Sequence, residues 1–286
     1  MMKAAGFSGV DFSINTMKDF DEAVMSPDAC THAEKIRRIS EDVGLPIIGS
    51  HAPYKFKHPM AMDETEPEFC RIVRSIEFAG ALGAPFIVVH ALRILPEDRP
   101  EDVREEQDRS LELNLRWYRV LQPYAKNAGV RIAVENLCAR GPQNEQCARR
   151  LGDARSYVEI LDLLDPEYFT GCFDVGHANL SMGDPASFIR EAGKYIHHLH
   201  VHDNDGFRDL HIMPAFRKLE APLNSQTYKV DWKGVAEALR DIHYDGTFNY
   251  EIGTWFSTFS DELLPEALAL AVKAALPLVR IIDGGK

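Results

Sequence analysis

Short apolar runs alternate with longer amphipathic stretches along most of the chain. Short runs rich in β-branched residues are typical of buried strands, whereas apolar residues that recur every three or four positions indicate helices. The predicted strands cover residues 9–14, 46–51, 85–90, 130–135, the start of 170–179, 196–202 and 246–252. The predicted helices cover residues 28–43, 66–82, 101–128, 154–164, 185–192, 232–243 and 261–281.

Seven alternations of strand and helix predict a single α/β domain over residues 1–286, with a parallel sheet wound in one direction. The closed form of this arrangement is an eight-stranded (β/α)8 TIM barrel. Residues 1–6 have the pattern of the end of a helix, so the first strand of the barrel is expected to be missing from this chain. An unclosed barrel edge would favour association of identical chains, which predicts a homo-oligomer.

Residues with metal-binding or acid–base side chains stand where the predicted strands end. The carboxyl ends of barrel strands meet at one mouth, where the chemistry of TIM barrels is located. The side chains at or just beyond these ends are His51, His90, Glu135, Asp174, His177, His200 and Glu251, and the loop after His200 adds Asp209 and His211. Their repeated placement predicts a shared site, since chance would scatter them over strands and helices alike.

Each of these residues also has an ordinary structural interpretation. His51 and His90 could be buried and bonded to backbone carbonyls, and Asp174 could cap the helix that follows it. His202 and Asp203 could serve only a turn. Several carboxylates buried side by side would raise their own pKa values unless a cation balanced them. The mixture of imidazole and carboxylate therefore predicts a divalent metal, with Zn²⁺, Mn²⁺ or Co²⁺ favoured over Ca²⁺ and Mg²⁺ and with zinc or manganese preferred.

Composition is that of an ordinary globular protein and narrows the range of partners. Hydrophobic residues make up 45% of the chain and charged residues 27%, and no apolar run reaches membrane-spanning length. The five cysteines have no metal-type spacing, and the start of the sequence has no apolar signal region. Together these two observations predict a cytoplasmic protein whose cysteines are reduced thiols. A formal net charge of −12 argues against a nucleic-acid partner, because phosphate contacts require local Lys and Arg.

Several motifs at these strand ends resemble the xylose-isomerase-like barrel superfamily, which includes sugar isomerases and epimerases, inosose dehydratases and enzymes of the endonuclease IV type. The resemblance extends over nearly the whole chain. The segments that carry it are Ser50-His51-Ala52-Pro53, Val89-His90, Val134-Glu135-Asn136, Asp174-Val175-Gly176-His177-Ala178-Asn179, His200-Val201-His202-Asp203-Asn204, Asp209-Leu210-His211 and Tyr244-Asp245-Gly246. The family's Gly-x-Gly turn after Asp-x-His is replaced here by Ile212 and a longer insertion.

The resemblance implies two sets of metal ligands. The ketose-epimerase pattern assigns one metal to Glu135, Asp174, His200 and Glu251, with His177 as a substrate contact. The endonuclease IV pattern adds His51, His90, Asp209 and His211 for a cluster of three zincs, and His177 counts among these additional ligands. The other expected substrate contacts are His51, His90, Tyr54 and Trp255, of which the last two are aromatic residues that follow strands.

The preferred hypothesis is a metal-dependent sugar or polyol isomerase or epimerase that acts on a small carbohydrate. Glu135 and Glu251, on opposite sides of the metal, would remove and return a proton next to a metal-polarised carbonyl. One alternative is a multi-zinc hydrolase of phosphodiesters of the endonuclease IV type. The other alternative is a non-catalytic barrel used for binding, which the missing strand and the altered segment after His211 favour.

Overall fold

The computed structural model of the chain describes residues 1–54, 61–95, 98–140, 146–147, 151–181, 183–214 and 230–285. The chain divides into two compact units. The N-terminal unit comprises Ser8–Glu135 and Glu159–Thr170, and the C-terminal unit comprises Met1–Phe7, Asn136–Val158 and Gly171–Lys286. A single domain over residues 1–286 stays a prediction.

Among its described residues, the N-terminal unit has four parallel strands that lie wholly within it and follow the order of the chain. They are β1 (Val10–Ser13), β2 (Ile47–His51), β3 (Phe86–Val88) and β4 (Arg131–Glu135). The helices that connect them are α2 (Phe20–Ala23), α3 (Ala29–Asp42), α4 (Pro67–Ala81) and α5 (Val103–Ala128). Each strand pairs in parallel with the next one along the chain, which is the predicted strand–helix–strand pattern.

The C-terminal unit adds the remaining strands and helices. Its elements are α1 (Met2–Ala5), β5 (Ala139–Arg140), β6 (Gln146–Cys147), α6 (Ala154–Asp162), β7 (Phe169–Asp174), α7 (Val175–Leu180), α8 (Pro185–Ala192), β8 (Ile196–His200), α9 (Trp232–Asp241), α10 (Gly253–Phe256) and α11 (Leu264–Ile282). Of these, α6 and β7 each have residues in both units. Strand β7 pairs in parallel with β8, and the six principal strands have the order β1-β2-β3-β4-β7-β8. This α/β arrangement confirms the predicted fold class.

Local sequence signals set the ends of the long helices. Asp102 caps α5, because its side chain accepts the Glu105 N–H at 2.8 Å. The same helix ends at Gly129, whose φ of 67° is a left-handed conformation that glycine adopts without strain. In α8, Asp184 accepts the Ala186 N–H at 3.0 Å ahead of a proline at the first helical position.

Each unit has aromatic side chains in its own core. In the N-terminal unit α4 packs on α5, where Phe69 and Trp117 meet edge to face with their ring centres 6.1 Å apart. In the C-terminal unit α8 packs on α9, and Phe188 contacts Phe173 at 4.9 Å between ring centres. Burial of each large apolar side chain contributes about 1.5–3 kcal/mol, so these contacts hold the strands that carry the candidate site residues.

One predicted element differs from the structure. Residues 246–252 do not form a continuous strand, because their backbone makes isolated parallel bridges at Thr247 and Tyr250 in place of a ladder. The helix expected after Asp174 is the short helix α7, and the Asp174 side chain caps it by accepting the His177 N–H at 2.6 Å. Among the described residues, no helix combines the length and the apolar character needed to cross a membrane.

Candidate metal centres

In the part of the chain that the structure describes, side chains of the ligand type form three clusters that each lie within one unit. The Glu135 cluster, in the N-terminal unit, consists of His51, His90 and Glu135. The Asp174 cluster (Asp174, His200 and Glu251) and the His211 cluster (His177, Asp209 and His211) belong to the C-terminal unit. In each cluster the candidate ligand atoms lie within 4.8 Å of one another.

The Glu135 cluster is built from strand ends. His51 and Glu135 are the last residues of β2 and β4, and His90 lies just beyond β3. Oε2 of Glu135 lies 2.7 Å from Nε2 of His90 and 3.9 Å from Nε2 of His51. The Nδ1–H of His51 donates to the Ala52 carbonyl at 2.7 Å, so Nε2 is the ring nitrogen that faces the buried carboxylate of Glu135.

Helix α5 fixes the backbone around His90. The Asn114 side chain accepts the Leu92 N–H at 2.7 Å and donates to the Leu92 carbonyl at 3.1 Å. The indole N–H of Trp117 donates to the His90 carbonyl at 3.2 Å. Because Asn114 and Trp117 are fully buried, these bonds are shielded from water and hold the imidazole of His90 in place.

The Asp174 cluster joins the ends of β7 and β8 to the segment that carries Glu251. Nδ1 of His200 lies 3.3 Å from Oε2 of Glu251 and 4.0 Å from Oδ2 of Asp174. The Asn136 side chain accepts the backbone N–H of Asp174 at 2.7 Å and donates to its carbonyl at 2.9 Å. Asp174 and His200 are buried, whereas the Glu251 side chain is 33% exposed, so this cluster opens to solvent at Glu251.

The His211 cluster places one carboxylate between two imidazoles. Asp209 lies with Oδ2 3.4 Å from Nε2 of His177 and with Oδ1 3.3 Å from Nε2 of His211. The Nδ1–H of His177 donates to the Asn136 carbonyl at 3.1 Å, and that of His211 donates to the Glu251 carbonyl at 2.9 Å. Both histidines therefore direct Nε2 toward Asp209.

The electrostatics of the His211 cluster favour a positive charge beside Asp209. Burial acts to raise the pKa of Asp209, but hydrogen bonds from His177 and His211 outweigh it and hold that pKa well below its usual value. Burial acts to lower the pKa of His211, but the hydrogen bond to Asp209 and the charges of nearby carboxylates raise it to about 9. A proton on His211 thus occupies the place that a bound cation would take.

His202 is a buried member of the site, although the sequence allowed the interpretation that it serves only a turn. Its Nε2 lies 3.1 Å from each carboxylate oxygen of Asp174 and 3.8 Å from Oδ1 of Asp209. The sequence carries a signal for it: in an extended segment side chains two residues apart share a face, so His202 lies on the side of His200.

The other predicted contacts lie in separate surroundings. Tyr54, which is 42% exposed, stacks on the ring of His90 with 5.0 Å between ring centres. Trp255 belongs to α10 and meets the ring of Phe259 at 4.7 Å. The insertion after His211 extends through residues 215–229, which lie outside the described residues.

Two observations fit a divalent metal, namely the ligand spacing of the Asp174 and His211 clusters and the hydrogen bonds of three histidines. Nitrogen and oxygen ligands at bonds of about 2.0–2.1 Å in a tetrahedron lie roughly 3.3–3.4 Å apart. The Asp174 cluster has one nitrogen–oxygen separation of 3.3 Å, and the His211 cluster has two, of 3.3 and 3.4 Å. In addition, His51, His177 and His211 each donate Nδ1–H to a backbone carbonyl, as histidines that bind metals through Nε2 usually do.

Solved structures of similar fold include sugar epimerases. A D-tagatose 3-epimerase-like protein superposes with a TM-score of 0.66 at 22% identity, over 98% of this chain and 90% of that chain. D-psicose 3-epimerase, solved in the presence of D-fructose, gives a TM-score of 0.62 at 18% identity, over 99% and 91% of the two chains. The IolI protein with a binding zinc atom gives 0.63 at 16% identity, over 98% and 90%. At these identities the likeness shows a shared fold.

Sequence comparison identifies the family. An uncharacterized protein of Methanocaldococcus jannaschii is 29% identical over 208 residues, which are 70% of this chain and 62% of that protein. The chain therefore spans less than two thirds of the length of this relative. The family model described as xylose isomerase-like TIM barrel matches residues 1–270. Because that match covers most of the sequence, the chain belongs to the xylose isomerase-like TIM barrel family.

Proposed function

We propose that the chain is a metal-dependent isomerase or epimerase of sugars or polyols. The Asp174 cluster is the observation that carries this proposal, because it joins two carboxylates and an imidazole at metal-ligand spacing with one side open to solvent. The likeness in fold to a D-tagatose 3-epimerase-like protein and to D-psicose 3-epimerase supports a carbohydrate substrate. The zinc atom in the IolI structure supports zinc, with manganese as the other candidate metal.

Asp174, His200 and Glu251 are proposed as ligands of this metal, with Glu135 as the fourth. Glu135 directly precedes Asn136, the residue whose amide holds the backbone of Asp174. The ketose-epimerase resemblance assigns the same four positions. Three carboxylates and one imidazole would overcompensate a divalent charge, and a neutral substrate with a carbonyl and hydroxyl groups adds no further negative charge.

Proton transfer is assigned to Glu135 and Glu251. A bound divalent metal supplies polarisation of the substrate carbonyl, which makes the adjacent C–H more acidic. One of the two carboxylates removes the proton from that carbon, and the other returns a proton from the opposite face, which inverts the centre. The substrate is positioned by the remaining predicted contacts, namely His51, His90, His177, Tyr54 and Trp255.

The test replaces each proposed acid–base residue by its amide. Glu135→Gln and Glu251→Gln remove the transferable proton with little change in shape, so we expect turnover of ketohexoses to fall at least roughly 100-fold. Epimerisation is followed by chromatography in zinc or manganese, and exchange of the substrate C–H in D₂O reports proton removal directly. Glu262→Gln, at an exposed position, is the matched control with wild-type turnover expected. Wild-type rates in either active-site variant would remove the proposed pair.

The Glu135 and His211 clusters favour a second candidate, a multi-zinc hydrolase of phosphodiesters, because they offer ligands beyond those one metal needs. Elemental analysis of protein isolated from zinc-supplemented cells separates the two functions. Three zincs per chain together with hydrolysis of bis(p-nitrophenyl) phosphate would favour the hydrolase. One metal per chain together with ketose epimerisation would favour the isomerase or epimerase.

A further inference from the structure

His202 has surroundings that differ from those of the candidate ligands beside it. It is fully buried, and its Nε2 faces the carboxylate of Asp174 at 3.1 Å from each oxygen. Its ring lies parallel to that of His211, with 3.9 Å between ring centres and 14° between ring planes. The ring of His177 meets it edge to face at 5.8 Å. His202 therefore contacts members of both clusters of the C-terminal unit.

The parallel rings exclude a shared metal. The lone pair of an imidazole nitrogen lies in the ring plane, so a bound ion must lie close to that plane. Two stacked rings whose centres are 3.9 Å apart and whose planes are inclined by 14° have planes that meet only well beyond either ring. His202 and His211 in this arrangement cannot both bind one ion, although their nitrogen atoms are close together.

The second ring nitrogen of His202 also departs from the ligand pattern. His177 and His211 each donate Nδ1–H to a backbone carbonyl, which leaves Nε2 free to bind a metal. Nδ1 of His202 is buried and has no hydrogen-bond partner among the described residues. The proton of a neutral His202 is therefore best placed on Nε2, where Asp174 accepts it.

Gly176 provides the space for this ring. A Cβ atom at position 176 would overlap Cε1, Nδ1 and Nε2 of His202. Gly176 lies in helix α7, whose other residues carry side chains. A glycine in a helix costs about 1 kcal/mol relative to alanine. The close approach of His202 gives a physical reason for that cost.

We infer that His202 is a positioning residue, which holds the carboxylate of Asp174 through Nε2–H and supports the ring of His211 without binding the metal itself. The inference rests on the proposed function, since it takes Asp174 and His211 to be metal ligands. A carboxylate that is hydrogen-bonded from behind keeps its orientation toward a metal, and loss of such a partner typically costs 10–100-fold in metal affinity.

The first experiment compares two pairs of variants by competition with a chromophoric zinc chelator. His202→Ala should weaken zinc binding roughly 10–100-fold, and His202→Gln should recover most of the affinity, because the amide N–H replaces the donor. His211→Ala and His211→Gln are the matched ligand pair, in which glutamine should not restore binding. Equal loss in His202→Ala and His202→Gln would overturn the inference, as would rescue of His211 by glutamine to the same degree.

A second variant reaches His202 without replacing it. Gly176→Ala should reproduce the zinc affinity of His202→Ala, because the added methyl group displaces the imidazole. Gly183→Ala is the matched control, since a Cβ there would meet only the Ala178 carbonyl oxygen at 3.4 Å. Wild-type zinc affinity in Gly176→Ala would contradict the proposed role of His202.

Imidazole NMR separates failure of this inference from failure of the proposed function. Long-range ¹H–¹⁵N spectra of histidine-labelled, chelator-treated protein report which ring nitrogen carries the proton, and the His202 signal is assigned by its loss in His202→Gln. A proton on Nε2 supports the positioning role whether or not the wild-type chain binds metal. A wild-type chain that binds no metal would contradict the metal-dependent function and would leave the assignment of the His202 proton unchanged. A proton on Nδ1 with a bare Nε2 would overturn the role.

Discussion

The two units gather ligand side chains in different ways. The Glu135 cluster of the N-terminal unit takes its members from β2, from the end of β3 and from β4, which are neighbouring strands in parallel register. The His211 cluster of the C-terminal unit takes His177 from α7 and the other two residues from the loop that follows β8. Sheet register brings the members of the first cluster together, whereas the second requires hydrogen bonds that shape a loop.

The loop of the C-terminal unit is held at both ends. Asp203 and Ile212 exchange backbone hydrogen bonds of 2.8 and 3.3 Å, and the indole N–H of Trp232 donates to the Asp203 side chain at 2.7 Å. His211 has a φ of 45°, a left-handed conformation that costs a residue with a side chain about 1–3 kcal/mol. The anchoring bonds offset this cost and turn the imidazole of His211 toward Asp209.

Both units nevertheless use an asparagine to hold a ligand-bearing backbone, and removing either one should have the largest effect on stability. Asn114→Ala leaves the N–H and carbonyl of Leu92 without their partner, and Asn136→Ala does the same to Asp174. Each buried unsatisfied group costs about 1–3 kcal/mol. We expect each variant to lose about 2–4 kcal/mol of unfolding free energy, measured by urea denaturation.

Asn179→Ala is the control for these two variants, because the Asn179 side chain donates to another side chain, that of Asn204, and not to the backbone. We expect it to lose about 1 kcal/mol. If Asn114→Ala stayed as stable as Asn179→Ala, register alone would hold the Glu135 cluster, and the contrast between the units would be larger than described.

A smaller effect is expected at Asp174, which has a structural role as well as a proposed ligand role. Asp174→Ala removes the cap of α7, so we expect a loss of about 1–2 kcal/mol of unfolding free energy in metal-free protein. Asp174→Asn should recover most of that loss, because an amide oxygen also caps a helix. Zinc binding, measured by titration, should fall in both variants. Equal destabilisation by alanine and asparagine would show that the cap contributes little.

The sequence predicts what depends on local pattern and strand order. Helix 185–192 agrees in extent with α8, since an aspartate cap and a proline at the first position mark its start. His51, His90 and Glu135 could be placed together because parallel strands end at one edge. Asp174 could be recognised both as a cap and as a ligand type, and the structure gives it the capping bond.

The sequence does not predict features that depend on contacts between distant residues. The position of His202 depends on the missing side chain at Gly176, and no local pattern reveals that two such residues meet. The segment around Glu251 was expected to be a strand, yet the described residues pair there through isolated bridges at Thr247 and Tyr250. Strand propensity describes how well side chains fit a pleated, half-buried surface, and the neighbouring strand decides how much of the segment is paired.

The smallest effects are expected from substitutions of the aromatic residues. These substitutions test whether each of the two units contributes to substrate binding. Tyr54 stacks on His90 in the N-terminal unit, and Trp255 lies beside Phe259 in the C-terminal unit. An aromatic contact contributes about 0.5–1.5 kcal/mol, which corresponds to a roughly 2–12-fold change in KM. We expect Tyr54→Ala and Trp255→Ala each to raise KM for a ketose by this factor with kcat little changed, because binding contacts act before the proton transfer.

Tyr54→Phe, which keeps the ring, should retain the wild-type KM. A rise in KM for only one alanine variant would assign substrate binding to that unit alone, and a fall in kcat at Tyr54→Ala would mean that stacking positions His90 for the reaction and not the substrate.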